Sequence, residues 1–175
     1  MGTFNGQFLG IMGLRRLWAG ALLLLLSAVA CNAFAFELRD TDGREQTLSA
    51  AKGQWVIVNF WATWCAPCIR EIPEIAEFAK ESSERVRVVG VVVDWTDTGT
   101  ENKDADRRKV IAFAKKIGHS YPLVLASATS EKAFGPIAGL PRTIIYSPEG
   151  KIVYDKTATI TKKTLRQILA GEKIS

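Results

Sequence analysis

The protein has 175 residues, of which 23 are Lys or Arg and 18 are Asp or Glu, and its formal net charge is +5. Apolar residues make up 47% of the chain and charged residues 23%, a globular composition that argues against disorder and low complexity. Only two charged residues, Arg15 and Arg16, precede Glu37, which leaves 21 basic and 18 acidic residues in the rest of the chain. This near balance argues against nucleic-acid binding, and three cysteines are too few for a disulfide-stapled scaffold.

Residues 1–35 are predicted to be a targeting segment. A 14-residue apolar run, Leu17–Ala30, follows the two arginines, and a basic start before a short apolar stretch is typical of a secretory signal. Small residues at Ala28–Ala30 and at Ala33–Ala35 each form an A-x-A cleavage site. A cleaved signal peptide is therefore one interpretation of this segment.

Two other interpretations of the same segment remain open. The residues before Cys31 resemble a lipoprotein signal, in which Cys31 would be the acylated first residue. The charge-free stretch Leu17–Phe36 is 20 residues long, which is enough for an uncleaved transmembrane anchor. All three interpretations place the rest of the chain outside the cytoplasm, because the arginines stay inside.

Residues 36–175 are predicted to form one α/β domain in which strands alternate with helices. Short apolar or Val-rich runs predict the strands, and a near-continuous apolar run is typical of a strand covered on both faces. The turn at Ser147–Gly150 predicts that the last two strands pair as an antiparallel hairpin at the sheet edge. The predicted strands are Phe36–Arg39, Trp55–Trp61, Arg85–Trp95, Ile144–Tyr146 and Lys151–Tyr154.

Apolar residues at helical spacing predict three helices, over Pro67–Ser82, Lys103–Ile117 and Thr161–Ala170. Thr161 is a candidate N-cap for the last of these. The mixed charges of Asp94–Arg108 are typical of a solvated loop and helix start rather than a binding site. Alternating strands and helices indicate a three-layer fold, a central mixed sheet with helices on both faces.

The chemistry-bearing motif is a pair of cysteines, Cys65 and Cys68, separated by two residues. A zinc site would need further ligands, and only His119 and Cys31 remain for that purpose. Covalent haem attachment would need His directly after the second cysteine, where Ile69 stands instead. No metal is therefore predicted, and the remaining use is a redox dithiol at a junction between a buried strand and a helix.

The predicted position explains why such a dithiol would react. At a helix N-terminus, free backbone N–H groups and the positive end of the helix dipole stabilise a thiolate at Cys65, and the thiolate is the attacking species. Pro67 suits the first helical turn, where its missing N–H leaves nothing unpaired. Cys68 lies one turn further on and can release a partner that is held on Cys65. We expect the redox-active disulfide of these two cysteines to be the only redox group, with no separate cofactor.

The segment Val58–Cys68 resembles the active-site segment of the thioredoxin superfamily, closest to its extracytoplasmic TlpA, ResA and DsbE-like branch. Glu71–Pro73 resembles the acidic residue and proline that follow the second cysteine in that branch, and Gly139–Thr143 resembles its cis-proline loop. The resemblance extends from about residue 36 to the C-terminus. It implies that Pro141 is cis and packs beside the dithiol, and that the backbone of Leu140 is exposed to pair with an extended client segment.

The resemblance also implies roles for residues around the dithiol. Trp64 would cover part of it and offer an apolar contact. Ordinary cytosolic thioredoxins carry a buried acid where this chain has Asn59, so the proton acceptor for the resolving thiol must be another group. Glu71, three residues after Cys68, is the leading candidate, because desolvation would raise its pKa. His119 is interpreted as a helix-end residue whose charge favours the helix C-terminus.

The cysteine pair and the targeting segment predict an extracytoplasmic thiol:disulfide oxidoreductase, and the resemblance implies that it reduces selected partners, such as apocytochrome c or metal-site cysteines. The expected partners are a cysteine-containing client and a membrane thiol-electron donor, with possible membrane attachment through the N-terminal segment. A dithiol can in principle also oxidise, so an oxidase or isomerase remains an alternative. A copper or thiol chaperone is the second alternative.

Overall fold

The computed structural model describes residues 36–93 and 103–172, without the side chains of Lys103 and Asp104. The predictions for the targeting segment and for residues 94–102 lie outside the described residues. Within the described ranges, no helix is long and apolar enough to cross a membrane.

A five-stranded mixed sheet with the order β5-β4-β3-β6-β7 forms the centre of the molecule. β3 pairs in parallel with β4 and antiparallel with β6, and β6 and β7 form the predicted antiparallel hairpin at the sheet edge. A separate antiparallel pair, β1 and β2, precedes the sheet. The strands are β1 (Glu37–Arg39), β2 (Glu45–Thr47), β3 (Trp55–Trp61), β4 (Val86–Val92), β5 (Leu123–Leu125), β6 (Arg142–Tyr146) and β7 (Ile152–Thr157).

Alternate residues of β3 serve the two faces of the sheet, as the pleat of a strand requires. Val56, Val58 and Phe60 contribute to an apolar cluster with Phe36 and Phe134. Ile57 and Trp61 contribute to two clusters on the other face, which include buried residues of the first, second and last helices. The helices are α1 (Ala66–Glu81), α2 (Lys103–Lys116), α3 (Ala128–Phe134) and α4 (Lys162–Leu169). The predicted three-layer α/β fold is confirmed.

The cap predicted for the last helix is present. Thr161 has extended backbone angles, and its side-chain oxygen accepts a hydrogen bond from the Thr164 N–H at 3.1 Å. Such a cap satisfies one of the N–H groups that a helix leaves free at its first turn. The same segment carries Ile160 just ahead of α4, and the backbone N–H of Ile160 reaches the site described below.

Three short elements were not predicted from the sequence: β2, β5 and α3. β5 has only three residues, too few to show a periodicity, yet it pairs in parallel with β4. α3 has seven residues, and its Ser127–Ser130 capping box satisfies its first turn. Pairing with a neighbouring strand and capping by side chains stabilise these elements. Neither produces a hydrophobic periodicity in the sequence, so the elements could not be predicted from one.

Candidate active site

Cys65 and Cys68 are joined by a disulfide, with their Cα atoms 5.3 Å apart. Cys65 is the N-cap of α1, and its Sγ lies 3.4 Å from the backbone nitrogen of Cys68, which donates a hydrogen bond to it. The Cys65 carbonyl accepts the first helical bond, from Ile69 N–H at 3.0 Å. The first sulfur therefore lies at the N-terminal end of a helix, where free N–H groups and the helix dipole favour a thiolate after reduction.

The two sulfur-bearing residues differ little in exposure. Cys65 is 4% exposed and Cys68 is fully buried in this oxidised state. Beside them, Trp64 is 72% exposed, the most exposed large apolar side chain of the described residues. Pro67 lies in the first turn of α1 and is half-buried. Trp64 is thus accessible to another molecule at the position directly before the first cysteine.

The loop before β6 contains the cis peptide bond that the sequence predicted, between Leu140 and Pro141. Pro141 is buried and Leu140 is half-buried. Leu140 packs against the apolar cluster that contains both cysteines. The structure therefore brings the proline loop and the dithiol together, although about 70 residues of chain separate them.

Arg142, directly after the cis proline, connects three elements around this loop. Its Nε and Nη2 donate to the two carboxylate oxygens of Asp155 on β7, both at 2.8 Å. Its Nη1 donates to the carbonyl oxygen of Phe134, the last residue of α3, at 3.1 Å. The guanidinium also lies 5.6 Å from the ring centre of Phe60 on β3. Arg142 could not be singled out from the sequence, because an isolated arginine after a proline carries no local signal.

Glu71 is buried on the inner side of α1, one turn after Cys68, with only 4% of its surface exposed. Both of its carboxylate oxygens have hydrogen-bond donors. Oε1 accepts from the side-chain amide of Asn59 at 2.8 Å, and Oε2 accepts from the backbone N–H of Ile160 at 2.8 Å. Asn59 also donates to Oγ1 of Thr143 at 3.3 Å. Four elements therefore meet at this carboxyl group: α1, β3, β6 and the segment before α4.

Burial raises the pKa of Glu71 to about 7, and the nearby charge of Glu74 acts in the same direction. The hydrogen bonds from Ile160 and Asn59 oppose this shift, because they stabilise the charged form. A carboxyl group with this pKa can accept or donate a proton near neutral pH. Glu71 is therefore a buried titratable group and not a solvated surface carboxylate.

His119 follows the end of α2 as predicted, and its backbone N–H donates to the carbonyl of Ala114 at 3.0 Å, but the predicted charge of its ring is wrong. His119 is only 7% exposed, and burial lowers its pKa to about 4, so the ring is neutral at physiological pH. Its ring lies 3.9 Å from the ring centre of Tyr121 and 5.6 Å from that of Trp61. Gly90 on β4 provides the space, because a Cβ atom there would lie 2.2 Å from Nε2 of His119. The sequence could not show that the chain after α2 turns inward.

The residues that the structure describes contain no group of three or more His, Cys, Asp or Glu side chains that could hold a metal ion. The groups that converge at the site are instead a disulfide, a buried carboxyl group and the apolar Leu140–Pro141 loop. Thiol–disulfide exchange needs an attacking thiolate, a second thiol and a place for one proton, and this arrangement offers all three.

Comparison with known proteins points to the same chemistry. The sequence pattern of the AhpC/TSA family matches residues 29–155. The chain is 33% identical over 135 residues to the thiol-disulfide oxidoreductase ResA of Bacillus subtilis, covering 77% of this chain and 70% of the relative.

Solved structures with the same fold include two similar proteins. One is a thiol:disulfide interchange protein of the thioredoxin family from Chlorobium tepidum, with a TM-score of 0.67 and 26% identity, covering 79% of this chain and 93% of that one. The other is StoA from Bacillus subtilis, with a TM-score of 0.60 and 26% identity, covering 76% of this chain and 94% of that one. The residues matched by the family pattern, 29–155, include the cysteine pair, the buried carboxyl group and the proline loop.

Proposed function

The chain belongs to the AhpC/TSA family of thioredoxin-like proteins and is a thiol-disulfide oxidoreductase, and from that premise we propose that it reduces disulfides of selected client proteins outside the cytoplasm. The observation that carries the proposal is the position of Cys65 as the N-cap of α1, the helix that also carries Cys68 and the buried Glu71. No residue between the two cysteines adds a positive charge to stabilise the thiolate further. A modestly stabilised thiolate favours a reductant over a strong oxidant.

The proposed reaction begins with the reduced protein. The Cys65 thiolate attacks one sulfur of the client disulfide, the client S–S bond breaks, and the other client sulfur leaves as a thiolate. Cys68 then gives its proton to the Glu71 carboxylate and attacks the Cys65 sulfur of the mixed disulfide. The second client sulfur leaves, and the Cys65–Cys68 disulfide forms. The client gains two electrons and the protein loses two, so an external dithiol must reduce the protein again.

The surface around the first sulfur supports recognition of an extended client segment. Trp64 offers an exposed apolar face, and the loop at Leu140 and Pro141 lies beside the apolar cluster of the cysteines. A peptide that pairs with backbone groups of this loop would bring its disulfide to the helix N-terminus. The client that we propose is a protein with a cysteine pair at a cofactor or metal site, and the donor is a membrane thiol-electron carrier.

The location is proposed from residues 1–35, which carry a cleaved signal, a lipoprotein signal with Cys31 or a membrane anchor. A structure similar to this chain, with a TM-score of 0.64 and 27% identity, is a pneumococcal exposed lipoprotein thioredoxin. That likeness supports a domain that works on the outer side of the cytoplasmic membrane.

Two cysteine variants test the proposal. We expect Cys65→Ser to abolish reduction of insulin disulfides, because no thiolate remains to attack. We expect Cys68→Ser to accumulate a mixed disulfide with the client, which can be isolated on a non-reducing gel and identified by mass spectrometry. Cys31→Ser is the matched control, and its rate of insulin reduction should equal that of the parent protein.

A measured reduction potential tests the direction of electron flow. A potential well above that of the thioredoxin couple, near −270 mV, would instead support an oxidase or isomerase. Unchanged insulin reduction in Cys65→Ser would contradict the assignment of the site itself.

A further inference from the structure

The carboxyl group of Glu71 has an unusual set of neighbours. Its two oxygens receive one side-chain donor and one backbone donor, and the side-chain donor comes from Asn59, which is fully buried in the middle of β3. The register of the sheet places Thr143 of β6 directly opposite Asn59. The Asn59 amide nitrogen uses its two hydrogens on Glu71 and Thr143.

The other end of this amide has no such contact. The oxygen Oδ1 of Asn59 is buried and has no hydrogen-bond partner among the described residues. Leaving a buried polar atom unpaired is costly, so such an atom calls for an explanation. The amide nitrogen and oxygen are nearly equal in size, so rotating the amide by half a turn exchanges a donor for an acceptor at the same place.

This exchange matches what Glu71 requires. The carboxylate needs donors, and the present orientation of Asn59 provides one. A protonated Glu71 is itself a donor and needs an acceptor, which the rotated amide would provide through Oδ1. The Thr143 hydroxyl can accept from the amide nitrogen or donate to the amide oxygen, so its hydrogen bond with Asn59 is kept in both orientations, while the far end of the amide has no partner among the described residues in either.

We propose that Asn59, supported by Thr143, is the positioning residue that holds Glu71 in one place in both of its protonation states. The inference rests on the proposed function, in which Glu71 takes the proton of Cys68 and must later release it. The backbone N–H of Ile160 holds the other oxygen throughout, so the carboxyl group does not need to move when its charge changes. An aspartate at position 59 could not do this, because two neighbouring carboxylates disfavour each other's charge.

The other groups that face Glu71 have different roles. Glu74 on the same helix raises the pKa of Glu71 through its charge. Burial, and after it the charge of Glu71, raises the pKa of Tyr121 and of Tyr154, so both phenols are uncharged near neutral pH. Asn59 is therefore the side chain that stabilises the charged form, together with the backbone N–H of Ile160.

The first test titrates Glu71 in the full-length disulfide form, where no activity is needed. The carbonyl stretch or the ¹³C resonance of the side chain is followed against pH, with Glu71→Gln as the assignment reference. Asn59→Ala should raise the apparent pKa of Glu71 by about one unit or more, because a hydrogen bond to the charged form is lost. Asn59→Asp should raise it further.

Thr143 provides a matched pair for the same titration. Thr143→Val keeps the shape but removes the hydroxyl, and should raise the pKa in the same direction as Asn59→Ala by a smaller amount. Thr143→Ser keeps the hydroxyl and should titrate like the parent protein. If Asn59→Ala fails to fold, the Thr143 pair still tests the proposal. With a purely steric role of Thr143, Thr143→Val and Thr143→Ser would differ in the free energy of unfolding but not in the pKa of Glu71.

The second test is the pH dependence of insulin reduction. The midpoint of the profile should move to higher pH in Asn59→Ala by the shift seen in the titration. An unchanged pKa of Glu71 and an unchanged midpoint of the pH profile in Asn59→Ala would overturn the inference. A rate of insulin reduction that falls by the same factor at every pH would overturn it as well. If Glu71→Gln also left the profile unchanged, the proton role in the proposed function would fail instead.

Discussion

Two buried titratable side chains, Glu71 and His119, give stability opposite dependences on pH. The pKa of Glu71 is raised by burial to about 7 from 4.5. Between these values the folded protein holds a proton that the unfolded chain has released, so stability falls as pH rises. The pKa of His119 is lowered by burial to about 4 from 6.5. Between these values only the unfolded chain binds the proton, so stability falls as pH falls.

The pH ranges over which Glu71 and His119 titrate overlap, so their contributions to the pH dependence of stability oppose each other in the parent protein. Variants of each residue alone should separate the two contributions. The unfolding free energy of Glu71→Gln, minus that of the parent protein, should grow as pH rises from about 4.5 to 7. The same difference for His119→Gln should grow as pH falls from 6.5 to about 4. Each slope is at most about 1.4 kcal/mol per pH unit. Urea unfolding at a series of pH values measures both, and two flat differences would contradict the burial of these groups.

At the scale of elements, the position of the proline loop depends on hydrogen bonds and close contacts that connect α3, β6 and β7. The loop has no hydrogen-bonded ladder of its own, and Gly139 approaches β7 so closely that a Cβ atom would lie 2.8 Å from Cγ2 of Thr157. Arg142 then connects the start of β6 to Asp155 and to the carbonyl of Phe134. A planar guanidinium that bonds a carboxylate with two parallel hydrogen bonds defines a geometry as well as a charge.

Arg142→Lys keeps the charge and loses the paired geometry, so we expect the loop at Leu140 to be less well placed. The KM for a client disulfide should rise several-fold with little change in kcat, and the free energy of unfolding should fall by about 1 kcal/mol, since Asp155 is partly exposed. Asp155→Asn should act in the same way, and the double variant should lose little more than either single variant. Additive losses, or a fall in kcat alone, would show that this ion pair does not place the loop.

Several boundaries of elements could be predicted from the sequence. The strand Trp55–Trp61 has the predicted bounds, and α1 differs from its prediction by one residue at each end. The predicted strand Arg85–Trp95 is shorter in the structure, where β4 is Val86–Val92. Long apolar runs and clear periods carry this information in the chain itself, whereas the three-residue β5 depends on its pairing with β4.

For the whole molecule, the start of the folded domain bears on where the chain is processed. Phe36 is 4% exposed, and its ring lies 5.3 Å from that of Phe134 and 5.9 Å from that of Tyr146. The packed core of the domain therefore already includes Phe36. Cleavage after Ala30 or after Ala35 would leave this contact intact.

We expect the mature protein to be recovered outside the cytoplasm, without the apolar run Leu17–Ala30 if the segment is cleaved and with it if the segment is a membrane anchor. Mass spectrometry of the intact protein from a bacterial envelope fraction measures the mature N-terminus. A mass that begins at Cys31 with added acyl chains would identify a lipoprotein, and one that begins at Phe36 would identify cleavage at the second site. A full-length mass in the cytoplasmic fraction would contradict the proposed location.

Local patterns in the chain were sufficient to predict the chemistry of the site and most of the sheet. Cys65 and Cys68, with a buried strand before them and an amphipathic helix after them, form a continuous stretch of chain, so local patterns are sufficient to predict a helix-capped dithiol. The loop around Pro141 was recognised from a short motif for the same reason. Such features depend mainly on neighbours along the chain.

The surroundings of the proton site, in contrast, depend on contacts between residues that are far apart in the chain. Asn59, Glu71, Thr143 and Ile160 come from four separate elements, and their hydrogen bonds exist because the sheet register and the packing of α1 bring them together. The burial of Glu71 and of His119 was decided in the same way. Desolvation depends on which residues pack around a titratable group in the folded protein, and the identity of the residue alone does not reveal whether it is solvated or buried.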